Sequence, residues 1–262
     1  MEIECGTKKR RKSGRFFFFV LVVVCVVLCV FVSHFFASII TTGNLSFKAV
    51  STTSSSNYKF YAISLSSFIS KNQAEESAKD FQAKNAGGYI YQMGDKYYVF
   101  ASIYQNKNDA DSVASNLSTL SYSPEVIEIS FEKASMSKCS SGKIKNTYQQ
   151  FLDEFKVVYQ KLYDISVSHD TSIFSETKTR IEIDTVKTNF KNKMAELSTG
   201  SSSNDGVYYA TLKRYGEKTE TALSELVEYK NNDNFTLSAK LKYTYMDILI
   251  NLKELNESLN LE

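Results

Sequence analysis

Apolar and polar positions along this chain change period several times, and each change marks an element. Residues 16–40 run apolar from Phe16-Phe-Phe-Phe-Val to Phe31-Val32, with Ser33 and His34 the only polar break before Phe35. Twenty-five residues at about 1.5 Å each reach about 37 Å, enough to span a hydrocarbon layer of about 30 Å with some tilt. The pattern predicts one transmembrane helix, and its length favours an uncleaved anchor over a secretory signal. Residues 41–58 then turn to Ser, Thr and Asn, including Ser51-Thr-Thr-Ser-Ser-Ser56, a composition that buries too little apolar surface to order itself and predicts a flexible linker.

From 59 to 131 the period becomes two. Phe60 to Phe68, Tyr89 to Met93, Lys96 to Tyr104 and Glu125 to Phe131 read as strands, with helices expected over Gln73 to Lys84 and Asp109 to Leu120. Ser70-x-x-Gln73 reads as a capping box, Asn106 as a second cap, and Gly94-Asp95 as a hairpin turn. The unit repeats itself. Tyr61-Ala-Ile-Ser-Leu-Ser-Ser-Phe68 aligns with Tyr97-Tyr-Val-Phe-Ala-Ser-Ile-Tyr104, and Lys71-Asn72-x-Ala74-x3-Ala78 with Lys107-Asn108-x-Ala110-x3-Ala114, at a constant offset of 36 residues. Neither copy alone covers its apolar strand face, so the two must pack as one sheet.

Residues 132–145 are rich in Ser and read as a second linker, and from 146 to 262 the period is helical. The seams are Phe151, Phe155, Val158, Leu162 and Ile165; Ile183, Val186, Phe190, Met194 and Leu197; Tyr208, Leu212, Tyr215, Thr219, Ala222, Leu226 and Tyr229; and Leu237, Leu241, Tyr245, Ile248, Leu252, Leu255 and Leu259. Breaks near His169-Asp170, Thr199 to Gly206 and Asn231 to Asn234 predict four helices in an antiparallel bundle. The predicted fold class is therefore α+β: a βαββαβ four-stranded antiparallel sheet and a C-terminal all-α bundle, preceded by one transmembrane helix. The change of period at 132–145 predicts that sheet and bundle are separable domains.

Charge sharpens the topology. The net charge is +2, but six of the 31 basic residues lie in Lys8-Lys-Arg-Arg-Lys12 and Arg15, leaving 25 bases and 27 acids beyond residue 15. A basic tail over 1–15 ahead of an apolar span predicts a cytoplasmic N-terminus and an extracytoplasmic body in the cell membrane. The mildly acidic body argues against nucleic acid as a partner. Of the four cysteines, only Cys139 lies beyond residue 40, so no internal disulfide is available to the body. His169 is its only histidine, and no HExxH, GxSxG or phosphate-loop pattern occurs. The expectation is a non-enzyme with no catalytic residues, no metal site and no cofactor.

Strand alternation predicts two faces. Ile63, Leu65, Val99, Ala101 and Ile103 are expected beneath Ala74, Ala78, Phe81, Ala110, Val113 and Leu117 of the two helices. The opposite face carries Ala62, Ser64, Ser66, Tyr98, Phe100 and Ser102, joined by Tyr89 and Tyr91 if Ile90 enters the core. Left open, that face sets aromatic rings beside small hydroxyls, a surface on which sugar rings stack.

Tyr61-x-Ile63-Ser64-Leu65-Ser66-Ser67-Phe68 and Tyr97-x-Val99-Phe100-Ala101-Ser102-Ile103-Tyr104 resemble the repeated strand-turn-helix of the SPOR domain, Tyr-x-Val-Gln-Val-Gly-Ser-Phe. Ser64 stands where that family often has Gln, and Ser66 and Ser102 where it often has Gly. The resemblance, over about 59–131, implies binding of peptidoglycan glycan strands at a division or sporulation septum, with Ser64, Ser66, Tyr89, Tyr91, Tyr98, Phe100 and Ser102 as the glycan-binding residues. The RRM shares the βαββαβ order, but Lys96-Tyr-Tyr-Val-Phe-Ala-Ser-Ile103 lacks its glycines. The rival expectation is a membrane-tethered scaffold whose helical bundle binds a septal protein partner and whose sheet binds no glycan.

Overall fold

The computed structural model describes residues 57–135, 142–200, 206–231 and 234–261. The basic tail, the apolar stretch 16–40 and Cys139 lie outside the described residues, and among the described residues no helix is long and apolar enough to cross a membrane. Residues Ser56–Glu262 form one compact unit. Its elements run β1 (Asn57–Phe68), α1 (Lys71–Gln82), β2 (Tyr89–Met93), β3 (Lys96–Tyr104), α2 (Lys107–Thr119), β4 (Glu125–Glu132), α3 (Gly142–Asp170), α4 (Glu176–Gly200), α5 (Gly206–Glu228) and α6 (Leu237–Leu261).

Both short helices begin two residues earlier than expected. Asn106 caps α2, its side chain accepting from the Asn108 amide at 3.0 Å. Ser70 has extended N-cap dihedrals but its side chain makes no capping bond, so the expected capping box does not form. The turn between β2 and β3 has Gly94 at φ 63°, the conformation a two-residue hairpin requires at its first central position. Gly88, at φ 61°, sits against the α1 end, where an added Cβ would lie 2.7 Å from the Ala78 carbonyl oxygen.

The sheet order is β2-β3-β1-β4, every neighbour antiparallel. Each copy of the repeat thus has a strand of the other copy inserted between its own two, which is why neither half is a sheet by itself. Two bulges interrupt the β1–β3 ladder: Ile63 pairs with Ser102, Ser64 with Phe100 and Ser66 with Val99, leaving Ala101 and Leu65 unmatched. The Ser64 hydroxyl donates to the Ser66 carbonyl at 2.9 Å across the second bulge. An extra residue reverses the inward-outward alternation beyond it.

In the bundle, α3 packs on α4 and α6, and α5 packs on the same two. Five residues join α3 to α4, a span too short to return along a helix about 43 Å long, so these neighbours are antiparallel. The expected seams are buried except at Met194 and Tyr229, which are half-buried against the core, and Leu223 rather than Ala222 fills the α5 position. Helix α6 differs from its neighbours: Tyr245, Met246, Ile248, Leu249, Ile250 and Leu252 are all buried, so it is enclosed on nearly every side. Its second apolar face lies on the sheet.

Sheet and bundle consequently share one core. Phe60, Ala62, Phe100, Ile103, Ile127, Ile129 and Phe131 join a single apolar cluster with the seams of all four long helices. On the other sheet face Ala74, Ala78 and Val99 form a smaller cluster with Phe68, Phe81, Ile90 and Tyr97. The order of layers is two short helices, sheet, bundle. The composition change at 132–145 marks a change of secondary structure, not a division of the core: Asn256 accepts from the Ala134 amide at 2.6 Å and Asn260 from the Ser135 amide at 2.8 Å, tying the chain after β4 to α6.

Candidate functional site

The face expected to remain open is the one the bundle covers. Phe100 is 0 % exposed, with Tyr91 stacked on it at a centroid distance of 5.5 Å. Tyr89 packs against Tyr243 of α6 at 5.1 Å, and its hydroxyl donates to Asp247 at 3.4 Å. Ser102 and Tyr245 share a buried hydrogen bond of 2.6 Å between their hydroxyls. Tyr98 is half-buried against the shared cluster. From α3, Tyr159 stands edge-on to Phe60 at 5.5 Å and donates to the Ile103 carbonyl at 3.1 Å. Burial pushes the phenols of Tyr159 and Tyr245 well above their ordinary range, so both are neutral and serve as hydroxyl partners inside the interface.

Three parts of the face assignment are corrected. Ser64, Phe100 and Ser102 are buried and offer no surface to a ligand. Ser66 lies on the α1 side, its hydroxyl 3.2 Å from that of Ser77, because the bulge at Leu65 turns β1 over. Ile103, expected beneath the short helices, belongs to the cluster with the bundle, because the bulge at Ala101 does the same to β3. Tyr89 and Tyr91 are on the expected face and Ile90 on the core side of the short helices, as the alternation of β2 implies.

No family model, curated protein or solved structure matches this chain.

What the closed face leaves accessible is its perimeter. A groove of about 560 Å³ runs beside β2, with Lys71, Glu75 and Lys79 of α1 on one wall and Ile90, Gln92 and Tyr97 on the floor. Lys71 already reaches Glu75 at 3.4 Å. A smaller groove of about 260 Å³ lies between α3 and α4, where Val157 is 46 % exposed among Glu154, Asp164 and Glu182. Burial raises the carboxyls of Glu154 and Asp164 above the usual range.

Asp247 is the titratable group at the seam of sheet and bundle. Its carboxylate accepts from Tyr89 and, at 3.2 Å, from the Asn251 amide. Burial is the largest influence and raises its pKa, with the Tyr89 hydrogen bond, Lys218 and Lys240 opposing. An acid whose folded pKa is raised destabilises the fold while it is charged. That penalty is absent below the unfolded pKa and grows as pH rises through the folded value. Asp247→Asn should accordingly raise the urea midpoint at pH 7 and leave it nearly unchanged at pH 4; a lower midpoint at pH 7 would mean that the charge is stabilising.

Sequence reasoning missed Tyr159, Tyr243 and Asp247 and read Tyr245 only as a bundle seam position; together these residues seal the face. The signal for α6 was present in Tyr245-Met-Asp-Ile-Leu-Ile-Asn-Leu252, a stretch too apolar around its circumference for a helix with one buried seam.

Proposed function

We propose that the chain is a membrane-tethered scaffold that acts by binding a protein partner rather than by catalysis, and that its sheet binds no glycan. The observation that carries this reading is the Ser102–Tyr245 contact within the covered face: sugar stacking there would require α6 to leave the sheet and expose Phe60, Phe100, Ile127 and Phe131 together. Uncovering one such side chain costs about 1.5–3 kcal/mol, so opening the whole face costs more than stacking recovers. The apolar stretch 16–40 supports the tether, and the basic cluster before it supports an extracytoplasmic body. The order of parts, a basic tail, a span, a repeated strand-helix unit and a helical region, resembles that of stage II sporulation protein B, which favours a role at a division or sporulation septum.

Sedimentation with purified, amidase-treated cell-wall sacculi separates this reading from glycan binding. The protein should remain in the supernatant at every sacculus concentration. Saturable pelleting, competed by soluble glycan strands, would replace the scaffold reading by the glycan one.

A further inference from the structure

The two edges of the sheet are built differently. β4 presents Glu125, Glu128 and Glu132, charges of the kind that keep other strands from pairing with an edge, and the chain that follows it is held to α6 by Asn256 and Asn260. β2 is Tyr-Ile-Tyr-Gln-Met with no charge and no proline. Its end residue Met93 is 42 % exposed. Between α1 and this strand lies the groove of about 560 Å³.

The hairpin fixes which backbone groups of β2 are free. In a two-residue turn the flanking residues form a doubly hydrogen-bonded pair, here Met93 with Lys96, and pairs of that kind alternate along the ladder. Tyr91–Tyr98 and Tyr89–Phe100 are therefore bonded pairs, while the N–H and C=O groups of Ile90 and Gln92 point away from β3 toward the open edge.

The geometry points to a second copy of this chain as the occupant of that edge, joined through antiparallel β2–β2 pairing about Tyr91. A two-fold axis there sets Ile90 of each copy against Gln92 of the other, and these residues exchange four backbone hydrogen bonds. Tyr91 faces its own symmetry mate, and Tyr89 meets Met93, a ring with a thioether. No strand residue meets a like charge, whereas the same operation on β4 would set glutamates among glutamates. The result is one continuous eight-stranded sheet, with an isologous contact that closes on itself.

The test is sedimentation equilibrium of the compact unit 56–262, with the native sequence, Gln92→Pro and Gln92→Lys compared. In the monomer the Gln92 N–H bonds nothing in the ladder, so proline there spares the fold while removing two of the four intermolecular bonds. The native unit should show a reversible monomer–dimer equilibrium, and both variants should raise its dissociation constant at least tenfold with an unchanged circular dichroism spectrum. If proline unfolds the unit, the lysine variant decides, since it adds only a charge to an exposed position. A monomer up to about 1 mM, or a dimer that neither variant weakens, overturns the proposal. The outcome is independent of the sacculus result, which probes glycan and not self-pairing.

Discussion

A fragment comprising the sheet and its two short helices, residues 56–135, should fail to fold alone. Removing the bundle would expose Phe60, Phe100, Ile103, Ile127, Ile129 and Phe131 on one side of the sheet, all of them buried in the shared cluster. Each fully buried side chain of this size contributes about 1.5–3 kcal/mol, and six together, about 9–18 kcal/mol, are as large as the 5–15 kcal/mol by which domains of ordinary size are stable. What remains is the small cluster around Ala74, Ala78 and Val99, too little to order four strands. The fragment should be aggregated or lack a cooperative urea transition, while 56–262 unfolds in a single step by both far-ultraviolet and tyrosine signals. Independent cooperative folding of 56–135 would show that the face is stable without its cover.

The second large effect is expected at Phe100. Its ring is fully buried and packs with Tyr91 beneath α6, so Phe100→Ala deletes packing on the sheet and the bundle at once. The cost should be about 3–5 kcal/mol, read as a lower urea midpoint for the whole unit. Tyr98→Ala is the contrast, because Tyr98 is only half-buried and its loss should cost clearly less. Had the face been open, both changes would be mild and similar.

Much of this fold is visible in the residues themselves. The 36-residue offset between Lys71 and Lys107 announces two interleaved strand-helix units, and the 3/4 spacing of Phe151, Phe155, Val158 and Leu162 announces a helix seam. Alternation also separates Ile90 from its tyrosine neighbours correctly. It fails at Ser66 and Ile103 because a bulge is one unpaired residue with no compositional mark: Leu65 and Ala101 are ordinary strand residues, and only their partners' register reveals them. The covered face failed for a different reason. A seam read as one stripe per helix accounts for Leu241, Tyr245, Ile248 and Leu252, and leaves Met246, Leu249 and Ile250 without a neighbour. An apolar sheet face and an apolar helix face, each lacking a cover, are complementary, and burying them together removes both from water. The expected site was assembled from that uncovered sheet face, which is why most of its residues prove to be packing.

If α6 seals the sheet, a thiol introduced by Ser102→Cys should be shielded from reagents in the folded protein. Ser102 is 6 % exposed and its hydroxyl meets Tyr245 at 2.6 Å, and cysteine is close to it in size. In the unit 56–262 carrying Cys139→Ser, the substituted position holds the sole thiol. Its labelling by iodoacetamide should be slower than that of the urea-unfolded chain by the factor that global unfolding imposes, about a thousandfold or more. Labelling within a few-fold of the unfolded rate under native conditions would contradict the account, since the face would then be open to water.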